Sequence, residues 1–556
     1  MTTTSLKPEE TKQLNPKDGS KQQAELLSPS SQEEPASQIA ASYFDISFQP
    51  NEQVTLNSVL PQEKLENNQR YPGGYPSDPK PGIFACVSAA SFHFPVGVVV
   101  AFSAILIPQL EHERSDIKVT KEETAWIASL VVLVVPVGAL ITGYLVDKIG
   151  RLNTIRLCAV PYIVGWVLIA SASTLKMILI GRFLTGFTLA MGPSPAVVYI
   201  TEVARPDLRG ALICTGPFMT SVGMVVIYSL GAVMDWRSVA WISIIFCLGP
   251  IIFMYIFSPE SPAWLLSKGH ADKALKSLVY LARNDKQGGL PERQLAEMRK
   301  ENDQNQSKNN NVFARLGRAV CSPNCYKPFI ILICLFTFQQ FSGIYITIFY
   351  AVTFFQDVGG DFNPYMSTVF IGVVRGLVGL LTSYLLRKFG RRPLFIFSSF
   401  GMAVSMAISG YYTRLIALGE SESSLIPITC ILLYMSFGVT GLMTIPWTMT
   451  AELYPLEYRG LAQGMTISVA HVIMFTAVQI YRPMSEALGG AFAVQWLFGG
   501  VSLLSIVFVL LFLPETHKKM LSEIQDYFTH NTVYLLRDKN VPTNTNSTAT
   551  NNNAIV

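Results

Sequence analysis

The sequence predicts an all-α membrane protein: twelve transmembrane helices arranged as two six-helix bundles, with a cytoplasmic helical loop between them. Three observations predict it. Of 556 residues, half are hydrophobic and only 14% charged, with a positive mean hydropathy, which is far too apolar for a soluble chain of this length. Apolar stretches of roughly 20 residues, each long enough to cross a hydrocarbon core about 30 Å thick as a helix, recur about twelve times. Three charged motifs occur twice, in the same order, on either side of a polar centre. In this setting a net charge of +4 says nothing about nucleic acid, and the surrounding partner is the lipid bilayer.

Residues 1–82 are rich in Gln, Ser, Glu, Pro and Asn, with no apolar run resembling a signal-peptide core. They read as a disordered cytoplasmic tail, with the first span acting as the targeting signal. The first bundle, 83–258, holds spans at about 83–108, 124–146, 154–174, 177–200, 211–233 and 239–258. A polar linker follows over 259–327, with helix-like pieces at Ala271–Arg283 and Glu292–Asn302 and a low-complexity stretch, Asn302–Asn311. The second bundle, 328–513, holds spans at about 328–355, 365–386, 393–413, 425–448, 461–482 and 491–513, before a polar tail, 514–556.

Short loops set the orientation, because Lys and Arg near span ends stay on the cytoplasmic side. The basic loops follow spans two (Lys148, Arg151) and eight (Arg387, Lys388, Arg391, Arg392), against single basic residues, Lys176 and Arg414, in the next loops. Both termini and the central loop are then cytoplasmic, and the sequons at Asn305 and Asn546 unused. Six of the eight cysteines lie in or at the ends of spans, so no disulfide framework is implied. Cys321 and Cys325 lack a second ligand pair nearby, and no metal or cofactor is expected.

The repeat is specific. Asp147-Lys148-Ile149-Gly150-Arg151 after span two returns as Arg387-Lys388-Phe389-Gly390-Arg391-Arg392 after span eight; glycine permits a tight turn there. Glu202 stands seven residues before Arg209, and Glu452 seven before Arg459. Pro259-Glu260-Ser261 after span six returns as Pro514-Glu515-Thr516 after span twelve. Such halves suggest a rocking transporter with a midplane site exposed alternately to each side. The charges Asp147, Arg151, Arg182, Glu202, Arg209 and Glu260, mirrored by Arg391, Glu452, Arg459 and Glu515, are then expected at cytoplasmic helix ends. There they would form pairs between the bundles that hold the outward-facing state. The plainer reading of any single member is a solvated loop charge.

Mid-span polar groups need partners, since an unsatisfied amide in hydrocarbon costs several kcal/mol. Span seven carries two, in Phe338-Gln339-Gln340-Phe341-Ser342-Gly343-Ile344-Tyr345, and Gln339, Gly343 and Thr347 fall on one helical face. That stripe can meet a hydroxylated solute, or glue helices together. Arg375 sits about halfway along span eight, too deep to snorkel easily and with no carboxylate at its depth. Its guanidinium is expected in a central cavity near Gln340, Tyr345 or His471. His93 and His471 each read first as hydrogen-bonded structural histidines.

Together with Pro259-Glu260-Ser261-Pro262-Ala263-Trp264-Leu265-Leu266, Gln339-Gln340-Phe341-Ser342-Gly343 and Pro514-Glu515-Thr516, these motifs resemble the sugar porter family of the major facilitator superfamily. The resemblance covers roughly 83–527 and is greatest to the insect facilitated trehalose transporters. It implies the major facilitator fold, a plasma-membrane location, a small-molecule sugar substrate and a monomeric unit of transport. It implies that Gln339 and Gln340 bind sugar hydroxyls, that Trp447 stacks on the sugar and that Tyr350 belongs to an outer gate. The substrate site departs from the glucose porters: Pro217 stands for a glutamine, Tyr345 and Arg375 for asparagines, His471 for a tryptophan, and Ala470 and Met474 for asparagines.

The function expected is facilitative transport of trehalose or a hexose by alternating access. With no carboxylate deep in any span, proton coupling is not expected. Two other readings stay open: a membrane sugar sensor that has lost transport, and a carrier of an anionic or non-sugar solute, suggested by Arg375. The chain has no nucleophile, base and orienting group at workable spacing, so it does not read as an enzyme.

Overall fold

The computed structural model describes residues 80–530 and 533, apart from 114, 283–288, 307–321, 360–362, 421–424, 456–458, 518 and 520. The expected N-terminal tail up to residue 79, the low-complexity stretch beyond Gln306, Cys321 and the sequon at Asn546 lie outside the described residues.

The described residues form helices and no strands. The first group comprises α1 (Lys80–Ala90), α2 (His93–Glu111), α3 (Lys121–Ile149), α4 (Arg151–Leu157), α5 (Ala159–Ala170), α6 (Leu175–Met191), α7 (Pro193–Val203), α8 (Pro206–Val233) and α9 (Trp236–Phe257). Three linker helices follow: α10 (Pro262–Ser267), α11 (Ala271–Leu281) and α12 (Leu290–Gln306). The second group comprises α13 (Pro323–Phe341), α14 (Ile344–Phe349), α15 (Ala351–Val358), α16 (Pro364–Lys388), α17 (Arg391–Ala417), α18 (Leu425–Thr440), α19 (Ile445–Glu452), α20 (Arg459–Leu488) and α21 (Ala491–Phe512). A last helix, α22 (Leu521–His530), lies within the expected polar tail.

Local chemistry starts several of these helices. Thr120 and Glu123 form a reciprocal capping box at α3. Asp235, Ser261 and Asn363 accept backbone N–H bonds at α9, α10 and α16. Proline occupies the first turn of α7, α8, α10, α13, α16 and α19, where its missing N–H is not needed.

Among the described residues, eleven helical segments are long and apolar enough to cross a membrane. The expected seventh span is not one of them, and it is divided into α13, α14 and α15. The spans expected at 83–108, 177–200 and 425–448 are also interrupted midway, at 91–92, Gly192 and 441–444. The stripe Gln339, Gly343, Thr347 is therefore not one continuous helical face. Gly343 takes φ +85°, which closes α13, and a Cβ there would lie 2.3 Å from the Phe498 ring. Hydropathy reports apolar length and cannot show such a break.

Helices pack mainly within each group, α2 on α8 and α3 on α6 in the first, α17 on α18 and α21 in the second. Between the groups α8 meets α16, α3 meets α20, and α14 and α15 meet α2. The linker helices lean on the first group. α22 docks on α13 by burying Ile524, Tyr527 and Phe528, while Lys327 Nζ donates to the Phe528 carbonyl at 2.7 Å.

Candidate functional site

At the end of the molecule where the chain turns at Gly150 and Gly390, each group holds its own ion-pair cluster. Arg151 reaches Glu202 through Nε and Nη2, the shorter contact being 2.7 Å, and its Nη1 donates to the Val146 carbonyl. Arg391 repeats this on Glu452 at 2.7 Å and on the Leu386 carbonyl, with Thr516 Oγ1 donating to Glu452 at 2.5 Å. Glu260 accepts the backbone N–H bonds of Arg151, Leu152 and Asn153, so its charge caps the positive end of α4. Glu515 does the same for Arg391 and Arg392 at α17. Gly150 has φ +104°, as a tight turn requires, whereas Gly390 has an ordinary −67°. What the two share is space: a Cβ would lie 2.6 Å from Glu260 Oε2 at Gly150 and 2.5 Å from Glu515 Oε2 at Gly390.

The mirrored carboxylates titrate in opposite directions. Burial raises the Glu260 carboxyl above its usual range, and the N–H groups of Ser261, Leu152 and Asn153 and the charge of Arg156 only partly offset it. Burial also acts to raise Glu515, but the N–H groups of His517, Arg391, Arg392 and Thr516 outweigh it and hold the carboxyl below that range.

Three expectations about these charges need correcting. The pairs Arg151–Glu202 and Arg391–Glu452 run within one group rather than between the two: Arg151 opens α4, which packs on the α7 that carries Glu202, and Arg391 and Glu452 both lie in the second group. Arg209 and Arg459, expected to pair between the bundles, turn back to the carbonyls of Ala204 and Tyr454. Arg182 is not at this end at all. It precedes Glu202 by 202 − 182 = 20 residues on the segment α6–α7, roughly 30 Å of helix. It is fully buried in the first group, donating to the carbonyls of Ile127 and Val99 and to Ser103 Oγ. Asp147 remains exposed, 4.0 Å from Arg151.

The opposite end carries contacts between the groups that sequence reasoning missed. Glu111 pairs with Arg482 at 2.5 Å and Lys121 with Glu486 at 2.6 Å. Ser129 Oγ donates to Gln479 Oε1 at 2.6 Å, and the Trp126 and Phe475 rings meet at 5.8 Å. Tyr350 is fully buried beneath them, 4.9 Å from the Tyr481 ring and under the Arg482 guanidinium. A cavity of about 270 Å³ opens here, lined by Lys121, Asp357, Tyr481, Arg482, Ser485 and Glu486. In sequence these charges look like ordinary solvated residues beside span ends.

Midway between the ends the glutamines meet the break between α18 and α19. Gln339 is fully buried, its Nε2 donating to the carbonyls of Leu442 (3.0 Å) and Met443 (2.8 Å) that the break sets free. Gln340 Nε2 donates to Gln339 Oε1 at 3.1 Å, which leaves Gln340 Oε1 buried and without a donor. Phe336, one turn earlier on α13, packs edge-on against Trp447. Trp447 Nε1 donates to Tyr345 Oη at 3.2 Å, and its ring lies 5.5 Å from His471. His471 Nδ1 is held by the Ile467 carbonyl. Arg375 reaches Met224 Sδ of α8 at 2.9 Å, close to Tyr345 and Tyr228. Tyr345, Arg375, Trp447 and His471 are each only half-buried.

Interrupted membrane helices, mirrored ion-pair clusters and an amide–aromatic centre in the second helix group, joined to the first through Arg375 and Met224, are those of a membrane transporter of the major facilitator class. The chain belongs to the sugar transporter family: the family model described as "Sugar (and other) transporter" matches residues 82–528. A facilitated trehalose transporter homolog of Drosophila sechellia is 30% identical over 80% of this chain and 90% of its own length. The facilitated trehalose transporter of Drosophila yakuba is 31% identical over 80% of this chain and 51% of its own. Among solved structures, the partially occluded inward-open xylose transporter of E. coli covers 79% of this chain and 100% of its own, with TM-score 0.65 at 19% identity, a likeness of fold.

Proposed function

We propose that this chain moves a sugar, trehalose or a hexose, down its gradient by alternating access, with the solute seated against Gln340, Tyr345, Arg375, Trp447 and His471. The observation that carries this is Gln340 Oε1: a buried acceptor with no donor, held beside an accessible aromatic surface. A sugar hydroxyl supplies the missing donor, and the apolar face of a sugar ring suits Trp447. Gln339 contributes by fixing the break at Leu442 and Met443 rather than by offering a free group. Its similarity to facilitated trehalose transporters supports the substrate class.

In this reading Pro323–Val358 is the seventh of twelve spans and the two groups are the two moving bundles. The basic loops orient the Gly150 and Gly390 end, the linker helices and both termini toward the cytosol, in a plasma-membrane protein whose unit of transport is the monomer. Glu111–Arg482 and Lys121–Glu486 then close the outer side over Tyr350, which is an inward-facing arrangement. The clusters around Arg151 and Arg391 stiffen each bundle, with Asp147, Arg209 and Arg459 beside them, and exchange partners when the cytoplasmic ends meet. Radiolabelled uptake in oocytes across trehalose and hexoses tests the reading. Uptake above uninjected controls is expected, and no uptake of any sugar by surface-expressed protein contradicts it.

A further inference from the structure

We infer that Arg375 makes this site prefer sugar acids, uronates or aldonates bearing one carboxylate, over their neutral parent sugars. The inference rests on the sugar-site reading above and deepens it. Arg375 lies 375 − 364 = 11 residues from one end of α16 and 388 − 375 = 13 from the other, roughly 16 to 20 Å from either. At that depth a cation needs a partner. Arg182, comparably deep, has one in each direction: Ile127 O, Val99 O and Ser103 Oγ take up its donors. Among the described residues Arg375 has a single hydrogen-bond acceptor for its five N–H donors, the thioether of Met224, which accepts weakly. Its close polar neighbours, Tyr228 and Tyr345, bring hydroxyls engaged with the Ile348 carbonyl and the Trp447 N–H, and no negative charge.

The guanidinium therefore presents an unneutralised fork beside the half-buried Tyr345. A carboxylate answers a fork with two parallel charge-assisted bonds, where a hydroxyl offers one neutral acceptor. The proposed site holds a demand of the opposite kind, because Gln340 Oε1 requires a donor that a carboxylate lacks. Only a solute carrying hydroxyl donors and an anion together meets both. One guanidinium matches a single negative charge better than the two of a phosphate ester.

The test uses the full chain, purified and reconstituted, with labelled glucose or trehalose uptake competed by glucuronate, gluconate, glucose and glucose 6-phosphate. We expect glucuronate to inhibit at about tenfold lower concentration than glucose. In Arg375→Gln the ratio of the two inhibition constants should fall toward one, and Arg375→Lys should keep part of it. Equal inhibition by glucose and glucuronate in the parent, stronger inhibition by the phosphate, or a ratio unchanged in Arg375→Gln overturns the inference. Should Arg375→Gln fail to fold, thermal shift of the purified parent decides: glucuronate must stabilise it at lower concentration than glucose. Uptake of neutral sugar without a preference for the acid sinks the inference alone. Absence of all sugar uptake sinks the sugar-site reading, and the thermal shift with glucuronate then still reports whether Arg375 holds an anion.

Discussion

Arg391 clasps Glu452 through two nitrogens, at 2.7 Å for the shorter contact, and Arg151 clasps Glu202 at the same 2.7 Å in the other half of the chain. The side chains are largely buried, Arg151 at 14% exposure and Glu202 at 18%. Glu202→Gln should leave the Arg151 charge half-served, at about 1.5 to 3 kcal/mol for a bond to a charged group. We expect a lower melting temperature and slower uptake. The exchanged pair Arg151→Glu with Glu202→Arg should recover part of both. An unchanged melting temperature in Glu202→Gln would show that the clasp does not stiffen the bundle.

The two glutamines should fail differently. Gln340→Ala removes the acceptor that the proposed site assigns to a sugar hydroxyl, so the half-saturation concentration should rise about 5- to 150-fold, for roughly 1 to 3 kcal/mol per bond, at normal surface expression. Gln339→Ala instead orphans the Leu442 and Met443 carbonyls, so folding and surface expression should drop first. Uptake kinetics alongside surface biotinylation separate the two. Parental kinetics in Gln340→Ala would remove it from the site.

On the opposite end, Arg482→Gln breaks the bridge to Glu111 that spans the two helix groups. A pair worth about 1 kcal/mol shifts a two-state ratio several-fold. The outer side should open more often. A cysteine placed at Ser129, which is buried against Gln479, should then react faster with an impermeant maleimide than in the parent. No acceleration would mean that the pair does not hold the outer side closed.

Glu260 and Glu515 hold mirrored helix starts and should respond oppositely to neutralisation. Glu515 is depressed below its ordinary value of 4.5, so its charge stabilises the fold above that pH, and the contribution is lost as pH falls through the depressed value. Glu260 is raised, so its ionised form is disfavoured by folding and protonation on acidification favours the fold. At pH near 7, Glu515→Gln should lower the melting temperature, with the deficit closing below 4.5. Glu260→Gln should lower it less or raise it. The reverse order at neutral pH contradicts this assignment.

Much of this architecture was legible because membrane spans announce themselves by apolar length and the repeat by charge spacing. Arg151, Glu202 and Glu260 and their counterparts were found that way. Their partners were not, since spacing fixes which end of a helix a charge occupies and leaves open which neighbour it reaches. Arg182 shows the limit most plainly: the same residue type at a span start turned out to be an internal hub for three acceptors. Gln339 was visible as a buried amide, but its role depends on the break at 441–444, which no apolar count reveals. The pairs Glu111–Arg482 and Lys121–Glu486 join residues some 370 positions apart with no repeat to flag them. The helix Leu521–His530 carried a readable cue in Ile524, Tyr527 and Phe528, spaced for one buried face.

The central claim, a sugar carrier that works without an ion gradient, is tested most directly by the end point of transport in proteoliposomes. Labelled trehalose or hexose should enter, stop at equal concentration on both sides and be indifferent to an uncoupler, because no carboxylate lies deep in a described span. Uptake no greater than in protein-free vesicles, or accumulation above the outside concentration that collapses with the uncoupler, would contradict it.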